Sequence, residues 1–339
     1  MKLKRRDVLY GLVGLSIPLI ASSCAGGDSN STEPATGTGN ATAEPTDSRI
    51  VRIGYQKTTD LDLLRTRGEL DRRLQELGSS VEWSLFQSGP PMLEAMNAGS
   101  LDFGGIGDAP PIFAQAAGGE FYYVSVIPYG PETQDIIVPA NSSIQSPADL
   151  RGKKVALQRG SSAHYLLLRV LEEAGIPVNE VEVVSLSPAD ARGAFEQGSV
   201  DAWSIWDPFL AVAQQEGNIR ELKVGRERRT FLLSARSFTE NHPDLLQAIL
   251  EATKANGEWA LQNQEELAEQ FARETGLPKD IMAIVNDRRN WVPEAVNQQV
   301  QTEQQSVADA FYTAQIIPRE IQVEEAFLPA DEYAKISPF

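Results

Sequence analysis

From Arg49 onward, short apolar runs rich in β-branched and aromatic residues alternate with longer stretches whose apolar positions recur every three or four residues. Runs at 51–55, 81–86, 103–106, 122–127 and 136–139 predict five strands, and runs at 155–158, 181–185, 202–206, 221–224 and 231–234 predict five more. Helical spacing fills the gaps, for example at 61–78, 92–99, 165–175 and 189–198. Each of those four stretches ends on glycine, the residue that stops a helix in the left-handed conformation. After His242 the pattern is nearly all helical, at 243–261, 264–275, 278–285 and 293–314, with a tail beyond Pro318. Strands alternating with helices predict an α/β architecture of mostly parallel sheets covered on both faces. Two sets of five strands and a helical finish predict two lobes, 49–137 with 235–339 and 138–234. The runs at 136–139 and 231–234 are the expected crossing strands of a hinge.

The first 48 residues follow other rules. A basic head (Lys2, Lys4, Arg5, Arg6), an apolar run from Val8 to Ile20 and the small residues Ala21, Ser22 and Ser23 predict an export signal over 1–23. The run is shorter than the ~20 residues that cross a bilayer, and no other stretch comes near that length. Cys24 follows the small residues as in a bacterial lipoprotein cleavage site, which makes its thiol the expected acyl attachment point and the inner membrane a partner through that lipid. Cleavage nearby that leaves Cys24 a free thiol is the plainer alternative. Residues 24–48 are almost wholly Gly, Ser, Thr, Asn, Ala, Pro and acids, which predicts a flexible tether.

Charge narrows the partners. The 339 residues carry 47 acids against 30 lysines and arginines, a net −17 that becomes about −20 without residues 1–23. Nucleic acids need clustered cations and are excluded. One cysteine excludes internal disulfides, and two histidines, His164 and His242, leave little for metal or acid–base chemistry, so no cofactor is expected. An anion bound by so acidic a body must be caught by local geometry.

Several turns lie directly after a predicted strand and before a predicted helix. They are Gln56-Lys57-Thr58, Gln87-Ser88-Gly89-Pro90-Pro91, Gly107-Asp108-Ala109-Pro110-Pro111 and Arg159-Gly160-Ser161-Ser162-Ala163-His164. In open parallel sheets ligands bind at such turns. The first N–H groups of a helix are unpaired and partly positive, glycine admits a ligand to the backbone, and serine adds donors. Several such ends in one cleft form an anion trap without lysines. The same residue types also simply start helices. In Ala202-Trp203-Ser204-Ile205-Trp206-Asp207-Pro208, the two tryptophans face opposite sides of a strand. Trp203 can pack inward while Trp206 overhangs the crevice and offers its indole to an organic tail, or both can be packing. Asp207 caps a turn or meets a ligand cation. Ser161, Ser162 and His164 invite a hydrolase reading, but no Gly-x-Ser-x-Gly elbow accompanies them.

At these turns the sequence closely resembles the aliphatic sulfonate-binding proteins of bacterial ABC importers. The matching stretches are Gly54-Tyr55-Gln56-Lys57, Gly89-Pro90-Pro91-Met92-Leu93-Glu94-Ala95, Gly107 through Gly118, Gly160 through His164, Pro188-Ala189-Asp190-Ala191-Arg192 and Asp201 through Pro208. The resemblance implies a two-lobed periplasmic binding fold with two crossing strands, a monomer without enzymatic activity that closes over an alkanesulfonate and delivers it to a membrane permease with a cytoplasmic ATPase. It places Gln56, Gly89, Gly107, Asp108, Ser161, Ser162 and Trp206 in the cleft, with His164 and Asp207 beside them. A sulfonate is anionic at any relevant pH, and neutral directed donors satisfy its three oxygens. Asp108 then holds backbone donors in place or pairs with a ligand amine. Ala163, Ala109 and Gln87-Ser88 depart from the family pattern, and taurine, nitrate or a pyrimidine-type nutrient remain alternative ligands on the same fold.

Overall fold

The computed structural model describes residues 49–339, which belong to one contiguous unit. Cys24, the export signal expected over 1–23 and the tether expected over 24–48 lie outside the described residues. The chain runs β1 (Arg49–Tyr55), α1 (Asp60–Arg67), α2 (Glu69–Glu76), β2 (Ser79–Leu85), α3 (Gly89–Asn97), β3 (Phe103–Gly107), α4 (Ala109–Ala116) and β4 (Phe121–Tyr129). It continues through β5 (Gln134–Pro139), β6 (Lys154–Leu157), α5 (Ser162–Glu173), β7 (Glu182–Ser185), α6 (Pro188–Glu196), β8 (Ala202–Trp206), α7 (Phe209–Glu216) and β9 (Ile219–Glu221). Then come β10 (Arg228–Ala235) and the helices α8 (Arg236–Asn241), α9 (Pro243–Gln262), α10 (Gln264–Thr275), α11 (Lys279–Asp287), α12 (Gln298–Thr313) and α13 (Ala330–Ile336). No described helix is long and apolar enough to cross a membrane.

Two five-stranded sheets result, ordered β2-β1-β3-β10-β4 and β7-β6-β8-β5-β9. In the first, β1 runs parallel to β2 and β3, and β10 runs antiparallel to β3 and β4. In the second, β6 runs parallel to β7 and β8, and β5 runs antiparallel to β8 and β9. Both faces of the first sheet are covered. Tyr123, Phe231 and Leu233 pack with Met92, Ile112 and Phe311 on one side, while Tyr122, Val124 and Leu232 pack with Leu61 and Leu246 on the other. Burial on both sides is why these runs show no polar alternation, and each fully buried aliphatic or Phe side chain contributes about 1.5–3 kcal/mol.

The chain passes between the sheets at 130–133 and 222–227, just ahead of β5 and β10. The lobe boundaries expected at 137/138 and 234/235 therefore fall too late along the chain. An apolar run reports that a strand is buried, not which sheet it joins, and β5 and β10 are each the antiparallel strand set among a sheet's parallel ones. For the same reason the strand expected at 221–224 stops at Glu221, where the second crossing begins. The single helix expected over 61–78 is two, because Gly68 at φ 65° ends α1 and starts α2. The helix expected from Pro293 starts instead at Gln298, capped by the Asn297 side chain. Ahead of that cap, Glu294 lies extended along the edge of β4, its N–H donating to the Val126 carbonyl at 2.7 Å.

The C-terminal helices tie the two sheets together. Leu246 and Ile249 of α9 join the core of the first sheet, while Ile281, Met282 and Val285 of α11 pack on Ala211 and Val212 of α7.

Candidate functional site

A cavity of about 520 Å³ lies between the sheets at the carboxyl ends of their parallel strands. Six helices begin on its wall: α1 at Thr59, α3 at Gly89, α4 at Pro110, α5 at Ser161 and Ser162, α6 at Pro188 and Ala189, and α7 at Phe209. Each start carries the equivalent of about half a positive charge and unpaired N–H groups. Proline stands in the first turn of α3, α4 and α6, where its missing N–H removes nothing the helix uses.

Of the residues expected in the cleft, Gln56, Gly89, Gly107, Ser161, Ser162, Trp206 and Asp207 all line this cavity. The Gln56 side-chain amide donates to the Gly105 carbonyl at 3.4 Å, and the Ser161 hydroxyl donates to the Gln158 carbonyl at 2.7 Å. A Cβ on Gly107 would collide with the Ser162 hydroxyl, so glycine is what brings the end of β3 against the start of α5. Asp108 and His164 sit one layer behind the wall. Asp108 is buried, accepts the Ala109 N–H at 2.8 Å, and its backbone carbonyl accepts from Gln304 at 2.7 Å. Burial raises its carboxyl above the ordinary value, opposed by the Ser162 hydroxyl and the Arg228 charge. It holds backbone donors in place rather than facing the cavity.

His164 is buried between Phe113 and Phe311, and its Nδ1 accepts the Gly160 N–H at 3.2 Å. Burial depresses its pKa from 6.5 to about 4. Between those values the unfolded chain takes up a proton that the folded chain refuses, so stability present at pH 7 is lost as pH falls from 6.5 towards 4. The loss amounts to about 3 kcal/mol. A His164→Gln variant lacks this loss, so its thermal unfolding profile from pH 7 to pH 4 is expected to be flatter than that of the native chain. Parallel profiles would contradict this.

The cavity also holds what the turns did not announce. Arg228 and Arg289, 9% and 7% exposed, lie on its wall. Neither guanidinium is paired with a carboxylate side chain among the described residues. Arg228 opens β10 opposite Tyr129 of β4 and lies over that ring, 4.7 Å from its centre. Its Nε donates to Thr133 in the first crossing segment at 3.3 Å, and Nη1 reaches Thr230 at 3.5 Å. Burial lowers its pKa from the usual arginine value, the cost of a desolvated cation. Arg289 donates to the carbonyls of Thr58 and Asp207, while its buried Nε has no acceptor among the described residues. Beside the neutral donors that the turns predict, the cavity wall thus carries two buried guanidinium groups.

Asp207 does two jobs. Its carboxylate, wholly buried, accepts the Ala211 N–H at 3.1 Å at the start of α7 and two bonds from Arg288 Nη1, at 3.2 and 3.3 Å. That ion pair joins β8 to the segment after α11. It meets a protein cation, not a cavity-facing one. Phe86, Trp206, Pro188, Phe209 and Leu277 supply apolar surface to the cavity wall.

Comparison with known proteins agrees with this geometry. The NMT1/THI5-like family profile matches residues 90–267. A relative from Escherichia coli (strain K12) named as an aliphatic sulfonates-binding protein is 40% identical over 290 residues, 84% of this chain and 90% of its own. The alkanesulfonate-binding protein SsuA from Xanthomonas axonopodis pv. citri, solved bound to MOPS, superposes with a TM-score of 0.79 at 35% identity, covering 84% of this chain and all 100% of that one. The periplasmic aliphatic sulphonate binding protein SsuA from Escherichia coli gives 0.74 at 38% identity, over 84% and 93% of the two chains. The two sheets and their helices are the fold of those structures. The chain belongs to the NMT1/THI5-like family, among the aliphatic sulfonate-binding proteins.

Proposed function

We propose that the protein captures aliphatic sulfonates outside the cytoplasm and passes them, unchanged, to an ABC permease and its ATPase. The observation that carries this reading is Arg228, a buried guanidinium on the cavity wall without a carboxylate partner among the described residues. Six helix starts and the Thr230 hydroxyl surround the same space. A sulfonate brings the permanent negative charge and three acceptors that such a site leaves unmet, and its alkyl tail lies against Phe86, Trp206 and Phe209. The sulfonate-binding names of the relatives at 35–40% identity support the ligand class. Export through residues 1–23, a lipid on Cys24 and action as a monomer in the periplasm complete the proposal. No chemistry on the ligand is part of it: His164 spends Nδ1 on Gly160 and lies behind the wall, and the Ser161 hydroxyl is given to Gln158.

Calorimetric titration with butanesulfonate, taurine, nitrate and sulfate tests the reading. Butanesulfonate is expected to bind tightest, and tightest binding by sulfate or nitrate would remove it. Trp206→Ala is expected to weaken long-chain sulfonates by ~1–3 kcal/mol through lost apolar burial while leaving methanesulfonate nearly unchanged. Equal losses for both would place Trp206 away from the tail.

A further inference from the structure

A second cavity, of about 770 Å³, runs beside the first along the groove between α6 and α7. Pro188 and Ala189 of α6 and Phe209 and Val212 of α7 stand at the first cavity, and farther along the same helices Phe195, Ala213 and Glu216 line the second. Arg192 and Phe209 belong to both walls. We infer that this groove is the tail compartment of the ligand site, receiving the neutral far end of a long sulfonate whose tail carries a hydrogen-bond acceptor. The inference rests on the proposed sulfonate reading, which fixes the head group at Arg228.

Three observations select that occupant. Trp203 of β8 is part of the groove wall, is 1% exposed, and its Nε1–H finds no acceptor among the described residues. A buried donor without an acceptor is costly, and an ether or carbonyl oxygen in the groove meets it. Phe195 and Phe209 stand 6.0 and 6.3 Å from the Trp203 ring, an apolar surround for methylene or aromatic groups. Glu196 and Glu216 edge the groove and repel a second anionic end. The entrance is spanned by Arg192, whose Nε donates to Glu196 at 2.6 Å and whose Nη2 donates to Glu216 across the two helices. All three side chains are more than a third exposed, so this strap holds weakly and opens at little cost. Trp206 at the first cavity and Trp203 at the second lie on opposite faces of β8, so the tail passes from one cavity to the other beside Phe209, which lines both.

The test is calorimetry on the purified protein with butanesulfonate, octanesulfonate and an octanesulfonate analogue in which one distal methylene is replaced by an ether oxygen. Octanesulfonate is expected to bind at least 10-fold tighter than butanesulfonate, following about 0.8 kcal/mol per buried methylene. The ether analogue is expected to match octanesulfonate in the native chain and to lose about 5- to 10-fold in Trp203→Phe, as a lost hydrogen bond predicts. Ala213→Phe, which fills the groove, is expected to bring octanesulfonate down to the butanesulfonate level while butanesulfonate binding persists and reports an intact fold. Butanesulfonate binding with no gain from chain length, or octanesulfonate binding untouched by Ala213→Phe, would overturn the inference alone. Absence of binding by every sulfonate would overturn the functional reading and the inference with it.

Discussion

Arg228→Gln is expected to weaken butanesulfonate binding by at least about 30-fold while raising the melting temperature of the ligand-free protein. The two effects share one cause. Arg228 is buried on the cavity wall, hydrogen-bonded to Thr133 and Thr230 and laid over the Tyr129 ring; Asp108 and Asp207 act on it from a distance, but no carboxylate pairs with it among the described residues, so in the empty protein it is a desolvated cation without a direct counter-ion. In the proposed reading, the bound sulfonate supplies that counter-ion. Truncating one member of a buried, hydrogen-bonded charge pair costs about 2–5 kcal/mol, and the same change relieves the unliganded site. Arg228→Lys restores only part of the affinity, because an ammonium is a point charge and cannot present two parallel N–H groups to two sulfonate oxygens. Calorimetry and thermal unfolding on the same samples check both halves. Unchanged affinity, or lost affinity together with a lowered melting temperature, would contradict this account of Arg228.

Asp207→Ala carries the largest expected effect on stability. Its carboxylate accepts from Arg288 and from the Ala211 N–H in the first turn of α7, and its backbone carbonyl accepts from Arg289. Removing the carboxylate strands Arg288, which is 19% exposed, and leaves a helix start uncapped. Breaking one partner of a buried pair costs about 3–5 kcal/mol, and for a domain of this size the melting temperature is expected to fall by roughly 6–12 °C. Asp207→Asn keeps an acceptor for Ala211 and is expected to lose less. Because Arg288 and Arg289 follow α11 and Asp207 directly follows β8, the pair also fixes how the C-terminal helices meet the second sheet. A melting temperature within 2 °C of the native value, an order-of-magnitude threshold below 1 kcal/mol, would show the pair to be worth little.

Much of this was legible in the chain. Strand and helix runs were readable because the parallel strands are buried on both faces and the helices on one, which leaves two distinct periodicities. The corners holding Gln56, Gly89, Gly107, Ser161 and Ser162 were readable because a strand, a Gly/Ser/Pro turn and a helix in succession place the turn at the carboxyl edge of a sheet. Depth was harder to read. His164 lies in the first turn of α5, and only the packing of Phe113 and Phe311 turns its ring inward.

The arginines were hidden by their neighbours. Arg228 lies in Arg226-Glu227-Arg228-Arg229 and Arg289 in Asp287-Arg288-Arg289-Asn290, which read as solvated charge. Arg226 and Arg229 do reach surface acids, Glu173 and Glu303, whereas pairing of β10 with Tyr129 of β4 directs Arg228 to the cavity. The available signal was Arg228 and Thr230 on one face of a strand that continues as Phe231-Leu232-Leu233. The crossings at 130–133 and 222–227 were hidden too, since sheet membership depends on partners far away in sequence.

The most direct measurement is a crystal structure of the protein grown with butanesulfonate. The sulfonate oxygens are expected within hydrogen-bond distance of the Arg228 guanidinium, with the alkyl chain against Trp206. A head group bound elsewhere in the cleft, leaving Arg228 without an anion, would contradict the idea that this buried cation exists to be neutralised by its ligand.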